Sequence, residues 1–148
     1  MTIRAKRYHD FCFAHRVLGI DPKCANLHGH NARIYFTVER PETSAYATTQ
    51  LDVVMEFGDI KNRLCQWLED NWDHKTLLAD DDPLTRKMID AQVPGLVVMP
   101  FAPSSENLAG YLLNVIGPAQ MRGSGCELVE VDFQETRKCS AIATLRQD

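Results

Sequence analysis

The feature that most constrains the fold is the strict alternation running from His28 to Glu39. His28, His30, Ala32, Ile34, Phe36 and Val38 have one parity, and Asn31, Arg33, Tyr35, Thr37 and Glu39 have the other. A period of two places side chains on opposite faces of a strand, so one face of this segment is an apolar row capped by two imidazoles. Gly29 between the histidines leaves room behind them. A second row, Phe11-Cys12-Phe13-Ala14-His15, puts Phe11, Phe13 and His15 on one parity. Strands joined by about a dozen residues are commonly neighbours, and in that case the three imidazoles converge. Three histidines without a fourth protein ligand is the pattern of a catalytic zinc, with one position left for water or substrate. Taken alone, His-Gly-His fits a surface turn equally well, and His15 a satisfied core histidine.

The remaining rows give the fold class. Phe57, Ile60, Leu64, Trp67 and Leu68 recur at helical spacing, which predicts an amphipathic helix ending near Asn71. Pro103-Ser104-Ser105-Glu106-Asn107 is a helix start, with a serine cap and an acidic residue at the positive end of the dipole. Leu108, Tyr111, Leu112, Val115 and Ile116 form its buried stripe, and Gly117-Pro118 is expected to stop it. Cys126 to Thr136 is a strand on which Val129, Val131 and Phe133 share a parity with Glu135. A carboxylate there must lie at a solvated strand end or face a polar ligand. Cys139 to Leu145 completes a hairpin. The order ββααββ predicts an α+β domain spanning residues 1–148, with two helices on one face of a four-stranded antiparallel sheet. Residues 41–50 read as a loop before a short apolar run, Leu51 to Met55. Ala79 to Pro83 reads as an acidic turn, and up to Pro103 only Leu96 to Met99 is strand-like.

Composition excludes several functions. The chain of 148 residues has a formal charge of −4 and no cluster of lysine or arginine, so a nucleic-acid role is not expected. No stretch reaches the roughly 18 apolar residues of a spanning helix, and the basic start leads into no run of signal-peptide length. A cytoplasmic protein without a membrane role is expected. The five cysteines lack a Cys-x-x-Cys pair, which suits a reducing compartment. Of these, Cys12, Cys65 and Cys139 are assigned to packing.

Five phrases in order, Phe11-Cys12-Phe13-Ala14-His15-Arg16, Cys24-Ala25-Asn26-Leu27-His28-Gly29-His30, Asp73-His74, Pro103-Ser104-Ser105-Glu106-Asn107-Leu108 and Glu135-Thr136, span nearly the whole chain. Together they resemble the signatures of the 6-pyruvoyltetrahydropterin and 6-carboxytetrahydropterin synthase family. The spacing of Cys24 from His28 is more similar to the bacterial 6-carboxy enzyme of queuosine biosynthesis. The resemblance implies a tunnelling fold (T-fold) that assembles as a homo-oligomer, a hexamer built as two trimers. It also implies a pterin substrate, 7,8-dihydroneopterin triphosphate, converted to 6-carboxy-5,6,7,8-tetrahydropterin with loss of triphosphate and acetaldehyde. Formation of 6-pyruvoyl-tetrahydropterin is the rival within this chemistry, and a non-catalytic pterin- or zinc-binding protein is the rival outside it.

Roles implied by the resemblance follow residue by residue. His15, His28 and His30 match Zn²⁺ ligands. Cys24 matches a catalytic cysteine; by itself it reads as a small buried hydrophobe, and only its place beside the ligands reverses that. Asp73 and His74 match a second acid-base group, although a helix C-terminus with a dipole-paired histidine accounts for them equally well alone. Glu135 matches the residue that anchors the pterin through paired N–H bonds. Ser104, Ser105 and Glu106 match a pocket segment contributed to a neighbouring subunit, a role compatible with helix capping. Glu56-Phe57, Ser104 and Ala79 depart from the family pattern, and none is a matched ligand or proton carrier.

Overall fold

The computed structural model describes residues 2–41 and 53–146. Residues 42–52, which hold nearly all of the stretch read as a loop and the start of the run to Met55, lie outside the described residues. The strands are β1 (Arg4–His15), β2 (His28–Glu39), β3 (Lys75–Ala79), β4 (Leu96–Met99), β5 (Glu127–Gln134) and β6 (Ser140–Thr144). They form one sheet in the order β4-β3-β1-β2-β5-β6.

The sheet corrects the expected four antiparallel strands. The antiparallel part, β1-β2-β5-β6, is present, with Phe13 opposite His30 and His15 opposite His28. Two further strands extend it: β3 runs parallel to β1, and β4 parallel to β3. Parallel neighbours require a crossover, and helices supply it. Helix α1 (residues 57–71) leads from the antiparallel part into β3. Helix α2 (Pro83–Asp90) links β3 to β4 and was not foreseen. Its start is written in the sequence after all, since Asp82 caps the Leu84 N–H at 2.8 Å and Pro83 occupies the first turn, where a missing N–H costs nothing. The acidic turn is a helix cap.

Helix α3 (residues 105–120) runs past Gly117-Pro118, the expected stop. Over Leu112–Ile116 its turns widen, so that the Gly117 N–H reaches the Leu112 carbonyl, and Gly117–Gln120 continues the helix beyond the bulge. Such a π-type insertion shifts the bonding pattern by one residue and accommodates a proline at the start of the last turn. Gly117 is also a point of close approach: a Cβ there would sit 2.7 Å from Leu128 Cδ2. The glycine lets α3 lie directly on β5.

The apolar face of the sheet is covered by α1 and α3. Phe11, Phe13, Ile34, Phe36, Val131 and Phe133 pack against Ile60, Leu64, Leu68, Trp72, Leu108 and Leu112, all buried in one contiguous core. The first half of β1 follows a different rule. Ala5 joins the core, but Arg7 and His9 on the same parity are polar, with Arg7 donating to the Phe57 carbonyl at 3.1 Å and His9 Nε2 2.7 Å from Glu69. A row with one alanine among polar residues carries no clear apolar period, which is why the strand is longer than its readable part. Among the described residues, no helix is long and apolar enough to cross a membrane.

Candidate metal centre and cavity

His28 and His30 share a face of β2, and the register of the β1-β2 ladder sets His15 directly across from His28. Their rings form a cluster with centroids 4.7 to 5.1 Å apart. Two backbone carbonyls fix the orientation of this cluster. His15 Nδ1 lies 2.6 Å from the Pro103 carbonyl, and His28 Nδ1 2.6 Å from the Asn26 carbonyl. A carbonyl accepts only, so each Nδ1 carries the proton and each Nε2 is the atom left to bind something else. This is the outer support expected of metal-binding imidazoles.

Glu135 completes the group. Lying one residue beyond β5, it brings Oε1 to 2.7 Å from His15 Nε2 and 2.8 Å from His30 Nε2. Neither contact has hydrogen-bond geometry, and both nitrogens are buried with no hydrogen-bond partner among the described residues. Donors that crowd together yet do not point at one another point at a common centre. The four donor atoms of His15, His28, His30 and Glu135 all lie within 4.8 Å of one another. Three imidazoles and a carboxylate suit a divalent transition metal such as Zn²⁺, so the residues present fit that ion. Burial, against the pull of Glu135, keeps His30 below its ordinary pKa and therefore neutral, as a ligand must be. Glu135 in turn is held below the usual carboxylate range, chiefly by the His15 ring beside it, although burial opposes this.

The cluster lies at one wall of a cavity of about 270 Å³ that Cys24, Ser105 and Glu106 also line. Cys24 stands in a short turn, Pro22–Ala25, whose start is capped by the Asp21 carboxylate and whose Cys24 carbonyl accepts from the Val17 N–H at 2.8 Å. That bond folds the turn back onto the end of β1 and brings the thiol to the histidines. Ser105 Oγ is buried without a partner in the same wall, while the capping of α3 falls to Ser104, which accepts from the Asn107 N–H. Val17 and Ile20 supply an apolar side. The expected metal ligands, the cysteine and the three residues expected at a substrate pocket are therefore together in one protomer.

Asp73 and His74 are not in this cavity. The groove that His74 lines runs along residues 12–14 of β1 and 29–31 of β2, where the parity of Cys12, Ala14 and Asn31 sends their side chains to the face of the sheet opposite the histidine cluster. Asp73 Oδ1 accepts from the Cys12 N–H at 3.0 Å, and Oδ2 from His74 Nδ1 at 2.6 Å. Burial alone would raise the Asp73 pKa, but these two bonds together hold it below the ordinary value. His74 has a left-handed backbone, φ 60°, unusual for a residue with a side chain.

Cysteine assignments need one correction. Cys65 is buried as expected, but Cys139 is exposed and lines the cavity, and Cys12 is half-buried with its thiol donating to Asn31 Oδ1 at 2.9 Å. The signal for Cys139 was available: Gln134 pairs with Ser140 in the β5-β6 hairpin, so the next residues outward, Glu135 and Cys139, meet at its closed end. A second support invisible to pattern reading is Asp82, which receives Arg16 Nε at 2.8 Å as well as Arg16 Nη2 and so fixes the chain just after His15.

The model of a family described as 6-pyruvoyl tetrahydropterin synthase matches residues 4–146. The chain belongs to the 6-pyruvoyl tetrahydropterin synthase family. It is 32% identical to a 6-carboxy-5,6,7,8-tetrahydropterin synthase of Rickettsia typhi over 93% of this chain and 96% of the relative. A protein of the same name from Rickettsia felis is 30% identical over the same shares. Among solved structures, an uncharacterized protein from Wolinella succinogenes superposes with a TM-score of 0.83 at 22% identity, covering 99% of each chain. The 6-pyruvoyl tetrahydropterin synthase of Caenorhabditis elegans gives a TM-score of 0.66 at 21% identity, covering 99% of this chain and 97% of that one. These likenesses establish the family fold, an α+β arrangement around a mixed sheet.

Proposed function

We propose that this protein acts on the side chain of a pterin, converting 7,8-dihydroneopterin triphosphate to 6-carboxy-5,6,7,8-tetrahydropterin with release of triphosphate and acetaldehyde, as a step of queuosine or related 7-deazapurine formation. The observation that carries the reading is one cavity containing a thiol, three inward-facing imidazole nitrogens and a carboxylate. The names of the Rickettsia relatives favour the 6-carboxy product.

His15, His28 and His30 hold Zn²⁺ in this reading. A divalent ion bound there supplies Lewis acidity, which makes C–H protons beside a substrate oxygen easier to remove. Cys24, as thiolate, takes such a proton from the pterin side chain. Glu135 offers an acceptor to the amino-pyrimidinone edge of the ring, with Ser105 and Glu106 beside it. His74, oriented by Asp73, exchanges a proton through Nε2. Its groove lies across the sheet from the cavity, so we assign this role to the pair from a neighbouring protomer of a homo-oligomer, expected as a dimer of trimers. Simple binding of a pterin has no use for two separate proton carriers, which weighs against a non-catalytic role.

The test is incubation of zinc-loaded protein with 7,8-dihydroneopterin triphosphate and identification of products by mass. The 6-carboxy product with acetaldehyde supports the proposal. A 6-pyruvoyl product would assign the chain to the rival reaction, and unchanged substrate would remove catalysis on this compound.

A further inference from the structure

Glu135 is placed in a way that recognition of a pterin ring does not require. A residue serving only the far edge of a substrate has no reason to put a carboxylate oxygen 2.7 and 2.8 Å from two imidazole nitrogens. Those nitrogens are buried and without hydrogen-bond partners, and the Nδ1 of His15 is already committed to the Pro103 carbonyl. His15 Nε2 therefore presents a bare lone pair, which repels a carboxylate oxygen unless a positive centre lies between. We propose that Glu135 is the fourth protein ligand of the metal when no substrate is present, closing the site that the three histidines leave open. This rests on the reading that the cluster holds a divalent metal, and it adds a ligand to that set.

Two features of the chain favour this role. The first is charge: three neutral imidazoles leave a divalent ion at its full charge in a half-open, partly buried pocket, and one carboxylate halves it. The second is freedom of movement. Glu135 lies just past the last ladder pair, Gln134 with Ser140, and the turn that follows is tied by Thr136 Oγ1, which accepts from the Lys138 and Cys139 N–H groups at 3.2 Å. No ladder pair holds Glu135 itself. The carboxylate can therefore leave the cluster for an incoming ring while the strand and the turn stay in place, and a substrate that draws it away opens a coordination position in the same motion.

The experiment uses the full chain stripped of metal and reloaded with Co²⁺ or Zn²⁺, with affinity measured by competition against a chromophoric chelator and ligand geometry read from the visible absorption of the Co²⁺ form. Glu135→Gln and Glu135→Ala are compared with Glu106→Gln, which removes a carboxylate of the same cavity that lies outside the cluster. Thermal melts of the metal-free proteins establish that each is folded. The expected result is an affinity about 10- to 100-fold weaker in both Glu135 variants, of the size usual when a metal site loses a supporting group, with an altered Co²⁺ spectrum and no change in Glu106→Gln. Affinity and spectrum indistinguishable from wild type in a folded Glu135 variant would overturn the proposal. An equal loss in Glu106→Gln overturns it too, because general cavity charge then accounts for the effect. A wild-type protein that takes up neither ion fails at the earlier step and removes the metal reading itself.

Discussion

The histidine cluster at the end of β1 and the Asp73–His74 pair beside Cys12 of the same strand are both groups of oriented polar side chains, yet they differ in nearly every physical respect. His15 is 2% exposed and its neighbours converge on a point inside one protomer. The side chain of His74 is 77% exposed and lines a separate groove. The cluster owes its shape to ladder register and two carbonyl acceptors, so a single chain completes it. The pair is equally well oriented, with its carboxylate held from both oxygens, but among the described residues its Nε2 has no hydrogen-bond partner. The difference teaches that one strand can position a group completed within the chain and, beside it, a group left open to whatever packs against it.

The largest expected effect falls on the cluster. His28→Ala should lose most of the bound zinc and all measurable turnover, since the remaining donors hold the ion poorly; metal analysis of the purified variant decides, and a full complement of zinc would dissolve the contrast between a metal centre and a surface pair. Next come the two proton carriers. Cys24→Ala and His74→Ala should each reduce turnover by at least about a hundredfold while keeping their zinc. Mixing the two inactive variants as unfolded chains and refolding them together should then restore activity, because some cavities would combine an intact Cys24 with an intact His74 from another chain. No recovery in a demonstrably mixed assembly would mean that the pair does not act across protomers.

A smaller effect is expected at Asp82. Its carboxyl is held below the ordinary range chiefly by hydrogen bonding from Arg16, which outweighs burial. A group with a depressed folded pKa contributes stability above its unfolded value, near 3.9, and loses that contribution as pH falls through the folded one. Asp82→Asn should therefore cost about 1 to 3 kcal/mol near neutrality through the lost charged hydrogen bonds, and the gap to wild type should narrow below about pH 4. Denaturant titrations at neutral and acid pH measure this, and a gap that widens in acid would refute the assignment. The smallest effect belongs to Cys65→Ala, a buried thiol whose pKa is pushed up to about 11 by burial. It should leave turnover within a factor of about two, with a stability loss on the order of 1 kcal/mol, and an activity loss as large as that of Cys24→Ala would show that cysteine effects here report folding.

Much of the cavity was legible because its residues lie on short-period rows or in compact phrases. The convergence of His15, His28 and His30 follows from parity and one assumption of adjacency, which the ladder bears out. Cys24 and Glu135 were named from the resemblance and lie in that cavity. Leu96 to Met99, strand-like in the sequence, is β4, whereas β3 is short and the largely polar first half of β1 has no sustained apolar row. Helix α3 was cut short because glycine followed by proline signals an end unless the preceding turn widens, and nothing local announces that. The contact of Glu135 with two imidazoles was hidden for a different reason. Parity placed it on the correct face, but the distance to His30 depends on the β2-β5 register, with Arg33 opposite Gln134, which no single strand encodes.

Strand β1 serves as a ruler for both chemistries. The Cys12 amide and carbonyl hold Asp73 and the His74 backbone, and three positions further on His15 faces the metal donors. The two attachments are thus roughly 10 Å apart along one rigid strand, by the rise per residue. Adding or removing a single residue between them would turn His15 to the wrong face and at the same time change its span to the Asp73–His74 attachment. The three steps from Cys12 to His15 therefore admit no change of count.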